Sequence, residues 1–343
     1  MTVSTLESLP LETIACPLCG SEASSPVVST PDRTCGLPGL FHVVRCQSCG
    51  HAYLNPRPTR EALALCYPAG YSPHQFSPVN SDRQPAPKPV WVRCLDWIPG
   101  AKTLYHWLRE THSNWTPARP HAEARALDVG CATGQFLLSL REKGWQVAGV
   151  ELTPAAVQVA KAAGLDVTEG VLEDAAFPDH SFDAVFAWMV LEHVPAPLET
   201  LAEIRRLVRD EGYFVFSVPN FGSWEPKIFG RCWIAYELPR HLQHYTPRIL
   251  KRILSQSGFR VERIVHQSNS LNVIASTGVC LQTVPGFRRL GTRLANWFVT
   301  DPPFAVTMLC AWPAKLLAAL RQGGRITVIA RPITGFSSTK SPP

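Results

Sequence analysis

The chain has 343 residues, room for about two domains of roughly 150 residues each, and 45% of them are apolar while 17% are charged. That balance excludes a disordered tail, a coiled coil, a collagen and a secreted disulfide scaffold. The net charge of +6 is unevenly placed: residues 245–343 carry thirteen basic side chains against two acidic ones, so the first 244 residues are acidic by five.

The start, MTVSTLESLPLETIACP, lacks a basic stretch followed by an apolar one, so no secretory leader is expected and a cytoplasmic location is. Eleven cysteines, an odd number, weigh against a full disulfide framework. Four of them form two matched C-x2-C pairs, Cys16-Pro-Leu-Cys19-Gly20 and Cys46-Gln-Ser-Cys49-Gly50. Each pair can wrap a tight knuckle around one tetrahedral ion, and the glycines let backbone amides turn toward the sulfurs. Cys16, Cys19, Cys46 and Cys49 are therefore the expected ligands of a structural zinc ion, with Val43–Arg45 and Ala52–Leu54 as short strands. Cys35, His42 and His51 read as loop or packing residues. Residues 1–58 form the expected zinc ribbon.

Residues 59–115 are expected to be a linker and lid. A short helix over Thr59–Cys66 leads into a proline-rich stretch, and Trp91–Trp115 is aromatic and helix-compatible. Residues 116–343 form the main domain. Strands are expected at 126–130, 146–150, 166–168, 184–189, 213–218, 260–266 and 326–330. Helices are expected at 135–143, 154–163, 197–208 and 246–257. Apolar strands separated by helices of this length imply a parallel, doubly wound α/β sheet.

The first of these strands runs into Leu127-Asp128-Val129-Gly130-Cys131-Ala132-Thr133-Gly134-Gln135-Phe136. Its glycines let a ligand approach the backbone and the following helix N-terminus. Asp128 would repel a pyrophosphate and suits a ligand carrying an ammonium group. The second strand ends at Glu151, where a carboxylate can take two ribose hydroxyls.

The segment ALDVGCATG resembles the first motif, (D/E)-x-G-x-(G/A)-x-G, of the class I S-adenosylmethionine (SAM)-dependent methyltransferases. The resemblance continues in order through VAGVELTPAAVQVAK, SFDAVFAWMVLEHV, LAEIRRLVRDEGYFVFSVPN and LPRHLQHYTPRILKRILSQSGFRV. It implies a Rossmann-like, seven-stranded sheet of the methyltransferase type preceded by a small zinc ribbon, and SAM as cofactor. Carried over by position, Asp128 would order the methionine ammonium while Gly130 and Gly134 give close approach beside Cys131 and Phe136. Glu151 would hold the ribose diol and Leu152 would line the adenine. The backbone around Leu172 or the side chain of Glu173 would stand in for a carboxylate near the adenine amino group, and Trp188 would sit beside the methionine.

Histidines beyond the strand ends are the first candidates for a base. His193, in Leu191-Glu192-His193-Val194, reads as structural or cofactor-flanking. His241 and His244, in the loop 237–245, are the catalytic candidates, because functional side chains collect on such loops. Residues 270–324 are too long for a plain connection. They read as a helical insertion, either a cap over the substrate or an apolar surface with basic flanks that contacts lipid at the membrane periphery. The expected activity is methyl transfer (EC 2.1.1.-) to an oxygen or carbon of a small acceptor: a sugar, a quinone-like molecule or an anionic, lipid-linked one. A zinc-ribbon RNA methyltransferase and a non-catalytic SAM-fold scaffold are the alternatives. Nucleic acid is disfavoured, because Cys16–Pro58 holds only Arg33, Arg45 and Arg57 as cations. No sequence signal bears on oligomeric state.

Overall fold

A computed structural model describes residues 9–67, 115–300 and 303–336; the expected linker and lid helix, residues 68–114, lie outside these. The chain begins with β1 (Leu11–Glu12), β2 (Ser24–Thr30), β3 (Phe41–Cys46), β4 (Ala52–Leu54) and β5 (Arg57–Pro58). β1 pairs with β5, while β2, β3 and β4 form an antiparallel meander. The expected helix over Thr59–Cys66 is instead a turn followed by one 3-10 turn, Leu63–Cys66. So short a run cannot repay the cost of nucleating an α-helix.

The main domain alternates β6 (Arg125–Val129), α1 (Gln135–Glu142), β7 (Gln146–Glu151), α2 (Pro154–Ala162), β8 (Asp166–Glu169), β9 (Phe182–Trp188), α3 (Pro197–Leu207) and β10 (Val208–Pro219). A short α4 (Glu225–Phe229), β11 (Gln243–His244), α5 (Pro247–Gln256) and β12 (Phe259–His266) follow. The insertion is helical, as expected, in α6 (Leu271–Gln282), α7 (Arg288–Thr300) and α8 (Phe304–Ala319), and the last strand is β13 (Arg325–Pro332). Three of the helix starts have plain causes. Pro154 and Pro197 open their helices, where a missing N–H costs nothing, and the Thr246 hydroxyl caps α5 by accepting from Ile249 N.

Seven strands form the central sheet in the order β12-β13-β10-β9-β6-β7-β8. It is mixed rather than wholly parallel, because β13 runs antiparallel to both β10 and β12. A chain returning from the insertion reaches the gap between those strands from the opposite end. Burial on both faces explains the apolar runs Ala184–Trp188 in β9 and Tyr213–Phe216 in β10. Within the insertion, α6 and α7 meet at glycines: a methyl group added at Gly278 would lie 2.7 Å from the Gly291 carbonyl oxygen.

The N-terminal sheet has a fourth strand, β11, from inside the main domain: Gln243 pairs with Tyr53 and His244 with Ala52. Leu54 N also donates to Leu242 O. Arg240 and Asp32, both with side chains at 0% exposure, form a two-pronged ion pair at 2.6 and 3.1 Å across the same seam.

Candidate functional site

The parallel strands β6 and β7 end together, and the turn after β6 is held by Gly130 N and Cys131 N donating to Val150 O. Gly130 (φ 69°) and Gly134 (φ 78°) take the left-handed conformation that the turn requires. A side chain at Gly130 would also strike Val190 Cγ2 at 2.7 Å. Two carboxylates flank the turn. Asp128 is 2% exposed, and among the described residues its Oδ1 has no hydrogen-bond partner. Burial, and then the nearby charge of Glu151, push its carboxyl well above the usual range. Glu151 accepts from Ala132 N at 2.9 Å and Thr153 N at 2.8 Å, which fixes its carboxylate at the mouth of the turn. A cation beside Asp128 and a diol beside Glu151 match this donor set, so an amino-acid nucleoside such as SAM fits the residues present.

Aromatic rings border the same end of the sheet. Phe136, in the first turn of α1, meets Phe186 and Trp188 edge-on at 4.9 and 5.3 Å. Trp188 Nε1 is buried without a partner among the described residues. Leu152 is 57% exposed and can cover a ligand. Two of the expected cofactor residues turn their side chains inward and leave only backbone to a ligand. The Cys131 thiol turns into the core, where a methyl group on Gly149 would lie 2.6 Å from its Sγ, so only its backbone belongs to the turn. Leu172 is buried in the main core, and the neighbouring Glu173 accepts from Thr200 Oγ1 at 2.7 Å.

The four ribbon cysteines converge: Sγ atoms of Cys16, Cys19, Cys46 and Cys49 lie within 4.8 Å of one another. Cys16–Cys49 is 3.6 Å and Cys19–Cys46 is 3.5 Å. Four sulfurs each 2.3 Å from a central ion stand about 3.8 Å apart in a tetrahedron, so the group matches a zinc site. Gly20 N and Gly50 N close each knuckle, donating to Cys16 O and Cys46 O. Burial raises the Cys46 thiol, but Cys49 N–H donating to its Sγ helps bring it down to about 6, toward the thiolate a metal needs. His42 is hydrogen-bonded to Ser29, and His51 Nε2 to Gln243 Oε1, so neither joins the four sulfurs.

Beyond β9 the catalytic candidates part company. His244 is 3% exposed, lies on β11 and packs against Phe221 and Tyr236. Burial drives its pKa well below the usual value, and among the described residues its Nε2 has no partner. It is a core residue of the seam, which corrects its placement as a catalytic group. His241 is also buried, yet it lies in a cluster with Glu192 and His193, whose ligand-type atoms all fall within 4.8 Å of one another. His193 is half-buried and its ring is 4.6 Å from that of His241. The three ribbon arginines are engaged. Arg57 binds Glu12 and Pro195 O, Arg33 binds Thr30, and Arg45 lies over Phe221.

A family model for a methyltransferase domain matches residues 101–264. A ubiquinone biosynthesis O-methyltransferase from Burkholderia multivorans is 32% identical over 225 residues, covering 61% of this chain and 89% of that protein. The chain belongs to the class I SAM-dependent methyltransferases. A ubiquinone biosynthesis O-methyltransferase from Xanthomonas oryzae is 35% identical over 156 residues, 43% of this chain, and the chain spans 65% of that protein's length. Among solved structures, a SAM dependent methyltransferase from Archaeoglobus fulgidus aligns at a TM-score of 0.42 with 20% identity, covering 67% of this chain and 91% of that one. SAM is the cofactor of this methyltransferase family.

Two groups at the cluster beyond β9 leave no local signal in the sequence. Glu192 is one glutamate beside a histidine, which gives no periodic or spacing signal. Tyr67, whose hydroxyl lies 2.9 Å from His193 Nδ1, follows the 3-10 turn beyond the ribbon and is 126 residues away. No local pattern joins the two.

Proposed function

We propose that this methyltransferase moves a methyl group from SAM to a hydroxyl oxygen of a small quinone-like or phenolic acceptor. The observation that carries the reading is the acidic pair at the β6 and β7 ends, Asp128 with its unpartnered buried oxygen and Glu151 with its fixed carboxylate. The names of the relatives point to oxygen as the accepting atom. When bound, SAM supplies a methyl group on a positively charged sulfur. Asp128 holds the ammonium, Glu151 takes the ribose hydroxyls, Gly130 and Gly134 admit the ligand to the backbone, and Leu152 lies over the adenine. Phe136 and Trp188 shield the methionine end from water. The acceptor enters beside His193, the one member of the Glu192–His193–His241 cluster that is not fully buried. Holding donor and acceptor in line supplies much of the rate in a displacement of this kind. Cys16, Cys19, Cys46 and Cys49 hold a structural zinc ion that fixes the ribbon against the main domain.

Calorimetry with SAM and with its demethylated product tests the cofactor assignment, and absence of heat for both rejects it. Labelled SAM with lysate fractions tests the acceptor. Label entering only RNA or protein rejects the small-molecule reading, and SAM binding with no label transferred to any fraction favours the scaffold.

A second reading concerns location. On α8 and its C-cap, Leu309, Trp312, Leu316 and Leu320 are 77, 56, 60 and 51% exposed, at helical spacing on one face. Exposed Arg288, Arg289 and Arg293 precede them on α7. Among the described residues no helix is long and apolar enough to cross a membrane. An apolar face with basic flanks suits an anionic lipid surface, from which an apolar acceptor could be drawn. In flotation with anionic vesicles the protein rises with the lipid; protein remaining wholly in the soluble fraction rejects this reading.

A further inference from the structure

The last strand of the sheet carries a cation that the fold leaves unused. β13 runs antiparallel, so Arg325, its first residue, lies beside Pro219, the last residue of β10, at the edge where the parallel strands end. Its backbone is clamped there. Asn220 N and Nδ2 donate to Gly324 O and Gly323 O at 2.8 and 2.9 Å, and Gln267 N donates to Arg325 O at 3.0 Å. A methyl group at Gly323 would lie 2.6 Å from Gln267 O, and one at Gly324 would strike the Glu225 carboxylate, so both positions require glycine.

The side chain, in contrast, is unclaimed. Arg325 is half-buried, its Nε is enclosed without a hydrogen-bond partner, and among the described residues it joins no ion pair. Burial lowers its pKa, against an attraction from Glu192, Glu237 and Glu225 that reaches it through no hydrogen bond. Those carboxyls are otherwise engaged or neutralised. Glu225 accepts from Trp233 Nε1 at 2.8 Å, Glu237 lies against Arg240 and His241, and burial raises Glu192 to about 8. A guanidinium partly withdrawn from water, with no hydrogen-bonded counter-ion, favours the arrival of an anion.

Its position decides which anion. Ser217 pairs with Trp188 on one side and with Thr327 on the other, so these side chains share one face of the sheet, and Arg325, two residues before Thr327, shares it too. Gln267 Nε2 donates to Thr327 Oγ1 at 2.8 Å. Among the described residues its buried Oε1 has no partner, and neither has Trp188 Nε1. The strand order β13-β10-β9-β6-β7 sets Asp128, on β6, three strands from Arg325, about 14 Å at the usual spacing. The SAM site runs from Asp128 toward Glu151 on β7, away from Arg325. The guanidinium therefore belongs to the other partner in the reaction, the acceptor, over β10 and β13 beside Trp188.

We propose that Arg325 binds a carboxylate carried by the acceptor at the end opposite the hydroxyl that is methylated, with Trp188 Nε1 and Gln267 Oε1 along the acceptor's length. This deepens the methyl-transfer reading above and rests on it. Two strand spacings, about 10 Å, separate β9 from β13, so the acceptor is an elongated phenolic acid. A planar guanidinium takes a carboxylate in two parallel hydrogen bonds. With three carboxyls within range of its charge, Arg325 suits this singly charged group over a phosphate.

Calorimetry on the full chain saturated with the demethylated product of SAM tests the site. The probes are caffeate, a catechol with a carboxylate on a rigid arm, and its amide, which lacks the charge. Wild type binds the acid about 10-fold more tightly than the amide, the value of hydrogen bonds to a charged group. Arg325→Gln binds the two alike and Arg325→Lys keeps part of the preference, while both bind SAM as wild type does, which reports that they fold. A wild-type chain that binds the acid no better than the amide, or a folded Arg325→Gln variant that keeps the preference, overturns the proposal. If Arg325→Gln does not fold, Arg325→Lys takes its place, and an undiminished preference there overturns it. Binding is read without turnover. Label transferred from SAM with no preference for the acid removes the anion site alone, and preference for the acid with no label transferred removes the methyl-transfer reading alone.

Discussion

The two ends of the proposed reaction path are built by opposite means and differ in how far along the chain their parts are drawn from. The cofactor cradle comes from one contiguous stretch: Asp128, Gly130, Gly134 and Glu151 lie on two neighbouring strands and the turn between them. The side proposed for the acceptor is assembled from afar, with Asp32 joined to Arg240 across 208 residues, His51 to Gln243 across 192, and Tyr67 to His193 across 126. Backbone geometry holds the first, and buried side-chain pairs hold the second. Damage to the cradle should therefore weaken ligand binding with little loss of fold, whereas damage to the acceptor side should loosen the molecule.

The largest expected effect is at the seam. Asp32→Ala strands the Arg240 guanidinium in a dry interior and takes acceptors from Thr34, Cys35 and Leu37 N–H. A loss of about 3–5 kcal/mol is expected in denaturant unfolding. A loss below about 1 kcal/mol would break the contrast between the two regions, since that is the value of an exposed pair.

Acid should find the same seam. Burial lowers His51 from its ordinary 6.5 to about 4, and lowers His241 and His244 as well. The unfolded chain then binds more protons than the folded one below about pH 6.5, so stability is full above that value and falls toward pH 4. His51 alone accounts for about 3 kcal/mol. Asp32 acts in the same direction at lower pH. Burial pushes its carboxyl up, but the hydrogen bonds and charge of Arg240 hold it below the usual range, so its contribution vanishes as pH falls through the folded value. Unfolding midpoints measured from pH 8 to pH 4 check this; a flat profile refutes it.

In the cradle, Glu151→Ala should raise the dissociation constant for SAM roughly 10- to 100-fold, the value of about 1.5–3 kcal/mol for hydrogen bonds to a charged group. Thermal stability should change less than for Asp32→Ala, and a variant that unfolds instead would erase the distinction. The smallest effect is expected for His244→Phe. The imidazole is neutral and surrounded by rings, so turnover should stay near wild type, and a large fall with unchanged SAM affinity would restore His244 to the chemistry.

The contrast also explains what could be read before any coordinates. The turn after β6, Pro154 and Pro197 opening their helices and the Thr246 cap are local, and their signals lie within a few residues. The same holds for the paired C-x2-C knuckles, whose spacing alone predicted four converging sulfurs. The direction of β13 depends on where a three-helix insertion returns the chain, and nothing in Arg325–Pro332 records that. His241 and His244 carry equal local signals, three residues apart, yet one joins a polar cluster and the other enters an apolar seam. What divides them is β11 pairing with β4, set by residues nearly two hundred positions away.

That pairing bears on modularity. A four-stranded ribbon that takes its last strand from within the body it serves cannot be cut out at residue 58 and keep its edge. Exchanged between proteins as a cassette, it would expose the bare side of β4 and leave Gln243–His244 without a mate. A functional chimera would therefore have to carry the 237–245 segment along with the cysteines.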